Sequence, residues 1–504
     1  MNKKNFITLL LALFFFLNIR AFAQEIILSP EQMQKDISYM EAVFKNIHPG
    51  FYRYNTEEQL ESYLSELKDK CSKPLTEKTF FVLLSKFTAK IKCGHTFLSP
   101  YNANEKVAAR IFPDKFFPFY FKIIDDKIIV THNLSENDRI KRGDEIISIN
   151  GYASKGIIDS LLFVSRTDGN NGLAKQYDNL NLTPQTSDGK ALFDIFFPLF
   201  FPLTSNEYSV SVKTSDGNSI NTKVNSLLLK ERNELFVNGF GEIPSYESTW
   251  KFSELDSGIA YLKMGTFAFW DRAFDSTYKF YLDSIFKVIN DKKISNLILD
   301  IRGNEGGSDD IRDYVLSYVM LKPYGCDNPA RRFYKYISIA DSLLPYLNTW
   351  DESFKKPKSP DLYKMNELGF YEKNSVNAPC EPKNPQINNY KGNVYLLTDA
   401  SNSSASFTMA DVLKSNGRAV LIGEPTGGNA QGINGGQFFF FSLPNSKFEI
   451  DIPLVFGYKG EDKKDGGIEP DHNIKTFQND IVTGRDAQME FTLGLIKTIR
   501  NYKR

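Results

Sequence analysis

Histidine is the side chain best suited to general-base work near neutral pH, and the 504-residue chain has four: His48, His95, His132 and His472. His48 lies in a His-Pro-Gly helix stop and His132 at an expected strand end, so both read as structural. His472 follows Pro470-Asp471 in a turn. His95 is the candidate base, because Gly94 before it lets the backbone turn sharply just past a helix. The matching nucleophile is sought in Ser401-Asn402-Ser403-Ser404-Ala405-Ser406. There a strand hands over to a helix, and unpaired backbone N–H groups at the helix start can hold a developing oxyanion. The same cluster also suits a plain serine helix cap. Gly306-Gly307 ends another strand, where exposed amides serve either an oxyanion or a tight turn.

These residues must be positioned by three kinds of segment. Residues 24–111 read as helical and carry His95. Ser29-Pro30-Glu31-Gln32 is a capping-box pattern with proline at the first helical position. Met33, Ile37, Met40, Val43, Phe44 and Ile47 then share one face. Thr56 and Thr76 open two more helices. Residues 112–230 change to alternating β runs, with a hairpin turn at Asp125-Asp126. Two prolines argue against a helix or central strand in Phe196-Phe197-Pro198-Leu199-Phe200-Phe201-Pro202, which reads as core filling under a loop. Residues 231–504 alternate strands and helices, with strands expected over 258–264, 294–300, 394–398 and 418–422 and helices over 271–290 and 404–415. Late strands at 438–441 and 448–452 should pair antiparallel. Residues 323–390, rich in Pro, Lys and Asn, read as an insertion over one end of the sheet.

Charge and composition exclude several classes. Sixty-one basic residues balance sixty-one acidic ones, so no global field favours nucleic acid or an anionic membrane. Lys3 and Lys4 precede a mostly apolar run over residues 6–17, and Ala21-Phe22-Ala23 follows, the layout of a secretory signal peptide cleaved between Ala23 and Gln24. As a helix that run rises only ~18 Å, too short for a ~30 Å hydrocarbon core, so no stable membrane span is expected. Export permits disulfides. Cys71–Cys93 and Cys326–Cys380 would each stay within one segment, and unpaired buried thiols are the alternative. No CxxC pair exists to suggest zinc or thioredoxin-type chemistry, so neither metal nor cofactor is expected.

The order of motifs adds what none carries alone. Leu297-Ile298-Leu299-Asp300-Ile301-Arg302-Gly303-Asn304-Glu305-Gly306-Gly307 comes first, then Ser404-Ala405-Ser406. Gly417-Arg418-Ala419-Val420-Leu421-Ile422-Gly423-Glu424-Pro425-Thr426-Gly427-Gly428 and Gly467-Ile468-Glu469-Pro470-Asp471 follow. This series resembles the C-terminal processing peptidases and tricorn-core-like serine peptidases. The resemblance implies an α/β fold: a crotonase-like (ClpP/crotonase) β/α spiral, a PDZ-like module over residues 112–230, where Gly143-Asp144 and Ile149-Asn150-Gly151 match, and an N-terminal helical domain.

Carried over residue by residue, the resemblance implies Ser404 as nucleophile, with Ser403 and Ser406 as fallbacks, and backbone amides of Gly306 and Ala405 as oxyanion donors. The processing peptidases place a lysine base twenty-five residues after the serine. Here that position is Asn429, which excludes the Ser–Lys dyad. The tricorn-like branch uses a histidine from an N-terminal segment, matched by Gly94-His95-Thr96, although Gly94 stands where a serine is usual. Its late glutamate is replaced by Lys464, leaving Glu461, Asp462 or Asp465 as substitutes, with Glu461 and Asp465 the possible His-orienting acids. The expected activity is that of an exported, periplasmic or extracellular serine endopeptidase acting on peptides or protein C-terminal tails. The alternative is a non-catalytic binding protein of the same fold holding an apolar ligand or peptide.

Overall fold

The computed structural model describes residues 25–99, 105–184, 191–256, 258–270, 273–326, 330–373 and 380–502; the expected leader and its cleavage site lie outside them. Ser29 accepts the Gln32 amide while the Gln32 side chain accepts the Ser29 amide. This reciprocal cap starts α1 (Pro30–Asn46), whose Met33, Ile37, Met40, Val43 and Phe44 are buried as their spacing requires. Thr56 and Gln59 repeat the device for α2 (Glu57–Lys70), and Thr76 caps α3 (Glu77–Lys90).

A β module follows. Strands β1 (Phe119–Ile124), β2 (Lys127–Asn133), β3 (Glu145–Ile149), β4 (Glu207–Lys213) and β5 (Ser219–Asn225) pair antiparallel in that order. Asp125 and Asp126 both have positive φ, 49° and 63°, which matches a type I′ hairpin turn. Between β3 and β4 runs α4 (Leu173–Leu180), then α5 (Leu192–Phe200). The α5 helix corrects the loop expected for the Phe-rich stretch. Pro198 removes one amide near the end of this short helix, and burial of Phe193, Ile195, Phe196 and Phe197 offsets that loss.

The C-terminal half is built on two sheets. The first runs β6 (Trp250–Asp256), β7 (Ile259–Met264), β8 (Asn296–Asp300), β13 (Asn393–Thr398), β14 (Ala419–Gly423) and β17 (His472–Asn473). All neighbours are parallel except the β6–β7 edge pair. Helices α6 (Ala273–Asp291), α7 (Asp309–Val319) and α8 (Ser404–Ser415) cross between its strands. Such βαβ crossovers bring strand ends and helix starts to one edge.

The second sheet centres on the long hairpin β15 (Gly432–Ser442) and β16 (Glu449–Tyr458), both longer than their apolar cores suggested. The 323–390 insertion extends this sheet instead of merely covering an edge. Its strands β9 (Arg331–Tyr334), β11 (Tyr363–Met365) and β12 (Tyr371–Lys373) add beyond β16, and β10 (Leu347–Asn348) adds beside β15. One continuous apolar core joins α1–α3, the β module and the β15–β16 hairpin. Another lies between the parallel sheet and α6–α8.

Cys326 and Cys380 form a disulfide. Cys71 and Cys93 are free and buried, so the other expected pairing does not form. Among the described residues no helix is long and apolar enough to cross a membrane.

Candidate active site

The serine cluster sits at the C-terminal end of β13, the edge where parallel sheets place reactive loops. Ser404 is the first residue of α8 and has φ +51°. A non-glycine residue in that region is strained, and strain is held where the surroundings over-determine the backbone. The neighbouring turns show what holds it. Asn402 Nδ2 donates to Ile301 O at 2.5 Å and Asn304 O at 3.2 Å, while Gly303 N donates to Asp399 Oδ2 at 3.0 Å. Ser406 Oγ donates to Asn304 O at 2.6 Å, and Ser403 Oγ to Glu305 O at 3.0 Å. Both fallback hydroxyls are therefore engaged in fastening the turns. Ser404 Oγ has no hydrogen-bond partner among the described residues and is half-buried.

Gly306 lies directly against this serine. A β-carbon there would stand 2.7 Å from Ser404 Cβ and 2.9 Å from Ala405 N. The Gly306 amide donates to Asn304 Oδ1 at 2.8 Å, so an incoming oxyanion would have to share that donor. Ala405 is at the start of α8, where amides have no intrahelical acceptor. Gly307 pairs in parallel with Phe267, and Phe267 N donates to Gly306 O. In that pairing the Gly307 amide points away from Phe267.

His95 is brought in by backbone pairing rather than by sequence proximity. Asp451 N donates to Phe97 O and Ser99 N to Glu449 O, which adds the segment after His95 to the edge of β16. Below it, buried His48 accepts the Gly50 amide at Nδ1, so its Nε2 carries the proton and donates to Thr96 Oγ1 at 2.6 Å. Burial pushes His48 down to about 3, which fits a neutral structural role. The His95 ring lies over Gly435, where an added β-carbon would be 3.6 Å from Cε1, and 5.6 Å from the Phe438 ring. A register shift between Gly435 and Phe438 bulges β15 at this point.

Burial holds the His95 imidazole below its ordinary range; Asp168 and Glu305 oppose that shift, whereas Arg166 and Lys175 reinforce it. His95 is thus within electrostatic reach of Glu305, the residue before Gly306. Its Nδ1 is buried without a hydrogen-bond partner. Glu461 is exposed, and Asp465 accepts from Asn429 Nδ2 at 2.6 Å and Asn170 Nδ2 at 2.6 Å. Neither is bonded to His95 Nδ1. Asn429 is fully buried and also donates to Asp168 O, so the position of the absent lysine is a clamp between loops. Lys464 pairs with Glu469. His132 packs edge-on against Phe236 and Phe240, and the His472 ring lies tilted against Phe491.

Two residues of the site were not foreseen from the sequence. Asp168 is buried, and its Oδ1 accepts the Gly94 amide at 2.8 Å beside the His95 loop. The Thr167-Asp168-Gly169 turn was its only sequence signal. Lys175, on α4, is 6% exposed and reaches from the β module to Glu305 Oε1 at 3.3 Å and Ser401 O at 3.5 Å, while Asp178 of the same helix lies 3.7 Å from it. The Lys175 ammonium holds Glu305 below the usual carboxylate range. Nothing in the local sequence marks this lysine. Burial pushes the Cys93 thiol up to about 11, which removes it as a competing nucleophile.

Residues 258–474 match the family model described as Peptidase family S41. This segment belongs to peptidase family S41. It contains the Gly306 turn, the Ser404 helix and the β15–β16 hairpin, and it makes the chain a serine-type peptidase. His95, Asp168 and Lys175 all lie outside the S41 segment. No curated protein matches the sequence. Among solved structures, mature CPAF complexed with lactacystin aligns with TM-score 0.63 and 14% identity, over 93% of this chain and 98% of that one. The crystal structure of mature CPAF aligns with TM-score 0.60 and 14% identity, over 90% of this chain and 94% of that one. These likenesses place the S41 segment and the segments before it in one shared fold. The photosystem II D1 C-terminal processing protease aligns at TM-score 0.40 and 12% identity, over 88% and 93%.

Proposed function

We propose that the chain is an exported serine endopeptidase that hydrolyses peptide bonds of peptides or protein C-terminal tails, with Ser404 as nucleophile and His95 as base. The observation that carries this reading is Ser404 itself: a strained, unbonded serine at a helix start, against a double-glycine turn. In the proposed acylation Ser404 Oγ attacks the scissile carbonyl and passes its proton to His95. The oxyanion rests on the Ala405 amide and on the Gly306-Gly307 turn, and His95 then protonates the leaving amine. Water repeats the sequence on the acyl-enzyme. Imidazole held below its ordinary range is neutral, and so able to accept a proton, across the neutral pH range.

Asp168, buried beside the Gly94-His95 loop, supplies the negative charge that favours the transient imidazolium. Glu461 and Asp465 would serve as orienting acids only after rearrangement, since Asp465 is held by two asparagines. The β module, with its Gly143 and Asn150-Gly151 turns, suits a PDZ-like role of capturing an extended chain terminus along a strand edge. The parallel sheet with its crossover helices suits the crotonase-like reading. The Cys326–Cys380 disulfide supports an oxidising, periplasmic or extracellular location.

The test is a fluorophosphonate probe. Labelling that is lost in Ser404→Ala supports the peptidase. A folded protein that does not label supports the rival, a binding protein of the same fold, which the orphaned His95 Nδ1 favours. Loss of Ser404 is expected to lower turnover by several orders of magnitude, about 10³-fold or more.

A further inference from the structure

On β15 the phenylalanines alternate. Phe439 and Phe441 are fully buried, whereas Phe438 and Phe440 are only partly covered and face the other side. The insertion delivers a third ring to that outer face. Its strand β10 pairs Leu347 with Phe441 and Asn348 with Phe440, and two residues later Trp350 lies 5.6 Å from the Phe438 ring and 5.4 Å from the Phe440 ring. Trp350 remains 60% exposed, yet its indole N–H donates to Gln437 Oε1 at 2.8 Å, which fixes its orientation. The other end of this row meets His95, whose ring is 5.6 Å from that of Phe438.

A large ring left open to water and tethered by its one polar atom is poorly explained by folding alone. The row is continuous from open solvent at Trp350 to the candidate base at His95. Arg166, Asp168, Lys175 and Glu305, the charged groups that act on His95, are not members of this row.

We propose that Trp350, Phe438 and Phe440 form a specificity shelf that receives a large apolar side chain, aromatic or long aliphatic, of the substrate residue adjoining the scissile bond. This rests on the reading of Ser404 and His95 as a peptidase centre. It assigns the 323–390 insertion a role in substrate choice, through one side chain it carries to the site.

The experiment compares labelling rates for two fluorophosphonates that share a reactive group, one bearing a methyl and one a phenylpropyl substituent. The ratio of the two rates cancels differences in the amount of folded protein. The wild-type ratio should favour phenylpropyl by about tenfold or more, the discrimination expected of one well-covered apolar side chain. In Trp350→Ala, and separately in Phe440→Ala, the ratio should fall toward one. A wild-type ratio near one, or a ratio unchanged in both variants, overturns the shelf while leaving the nucleophile intact. No labelling of the wild type by either probe, in folded protein, overturns the peptidase reading and the shelf with it.

Discussion

Asp168 occupies the space that any side chain at position 94 would need. A β-carbon on Gly94 would stand 2.5 Å from Asp168 Oδ2 and 2.8 Å from its Cγ, while the Gly94 amide donates to Asp168 Oδ1. The glycine before His95 is therefore what admits a carboxylate from the β module beside the imidazole. Gly94→Ser is expected to push Asp168 aside and lower kcat/KM by about tenfold to a hundredfold, with little change in the ordered fold. Peptidase assays alongside circular dichroism check this.

Removing the charge at that position has a signed consequence. Asp168 raises the His95 pKa against burial. Asp168→Asn should therefore move the acid limb of the pH–rate profile to lower pH. The plateau should also fall, by about tenfold or more, because in the proposed acylation the imidazolium loses the anion that most favours it. An unmoved limb in the profile would refute the assignment.

Lys175→Met is expected to do the opposite to the limb. The ammonium depresses both Glu305 and His95, so its removal leaves Glu305 without its neutralising partner and lets the His95 pKa rise. The acid limb should shift upward, and kcat should fall about tenfold as unneutralised charge stands next to the Gly306 turn proposed to hold the oxyanion. The two shifts in opposite directions separate electrostatic effects from mere loosening of the loop.

Arg232 and Asp194 form a two-pronged ion pair at 2.9 and 2.7 Å, each side chain 1% exposed. Arg232→Met leaves a buried carboxylate alone and should cost about 3–5 kcal/mol in urea unfolding. Changing both partners to apolar residues should recover much of that loss, since it is the stranded charge that is expensive.

Stability should also carry a pH signature from the loop before Ser404. Burial, and then the charge of Asp178, push Asp399 up to about 7. A carboxyl group raised in the folded state favours folding most below its unfolded value, and that contribution disappears as pH rises through 7. Melting temperature should accordingly decline between about pH 4 and pH 7 on this account, and Asp178→Asn should flatten part of the slope. Scanning calorimetry across that range reads it out.

The sequence by itself determined the local pieces. Caps at Ser29, Thr56 and Thr76, the Asp125-Asp126 turn, the β8 and β13 strands and the helix opening at Ser404 are all written in residues a few positions apart. Their energetics are local: side chains that satisfy nearby amides, and apolar spacing that matches a helix or strand period. The motif order likewise announced the S41 segment. Where the local rule was overridden, as at Pro198 in α5, burial of four neighbouring apolar side chains outweighed one missing amide.

Only the tertiary structure decided what stands around His95. Asp168 and Lys175 come from the β module and Gly435 and Phe438 from a bulged strand more than three hundred positions later, with Trp350 of the insertion packed on Phe438 in turn. Nothing in the composition of those segments singles them out. Their meeting depends on β16 accepting the segment after His95 and on one apolar core joining the N-terminal helices to the β15–β16 hairpin. Contacts of that range are set by how whole faces fit together, and a spacing rule that reads a few residues at a time has no access to them.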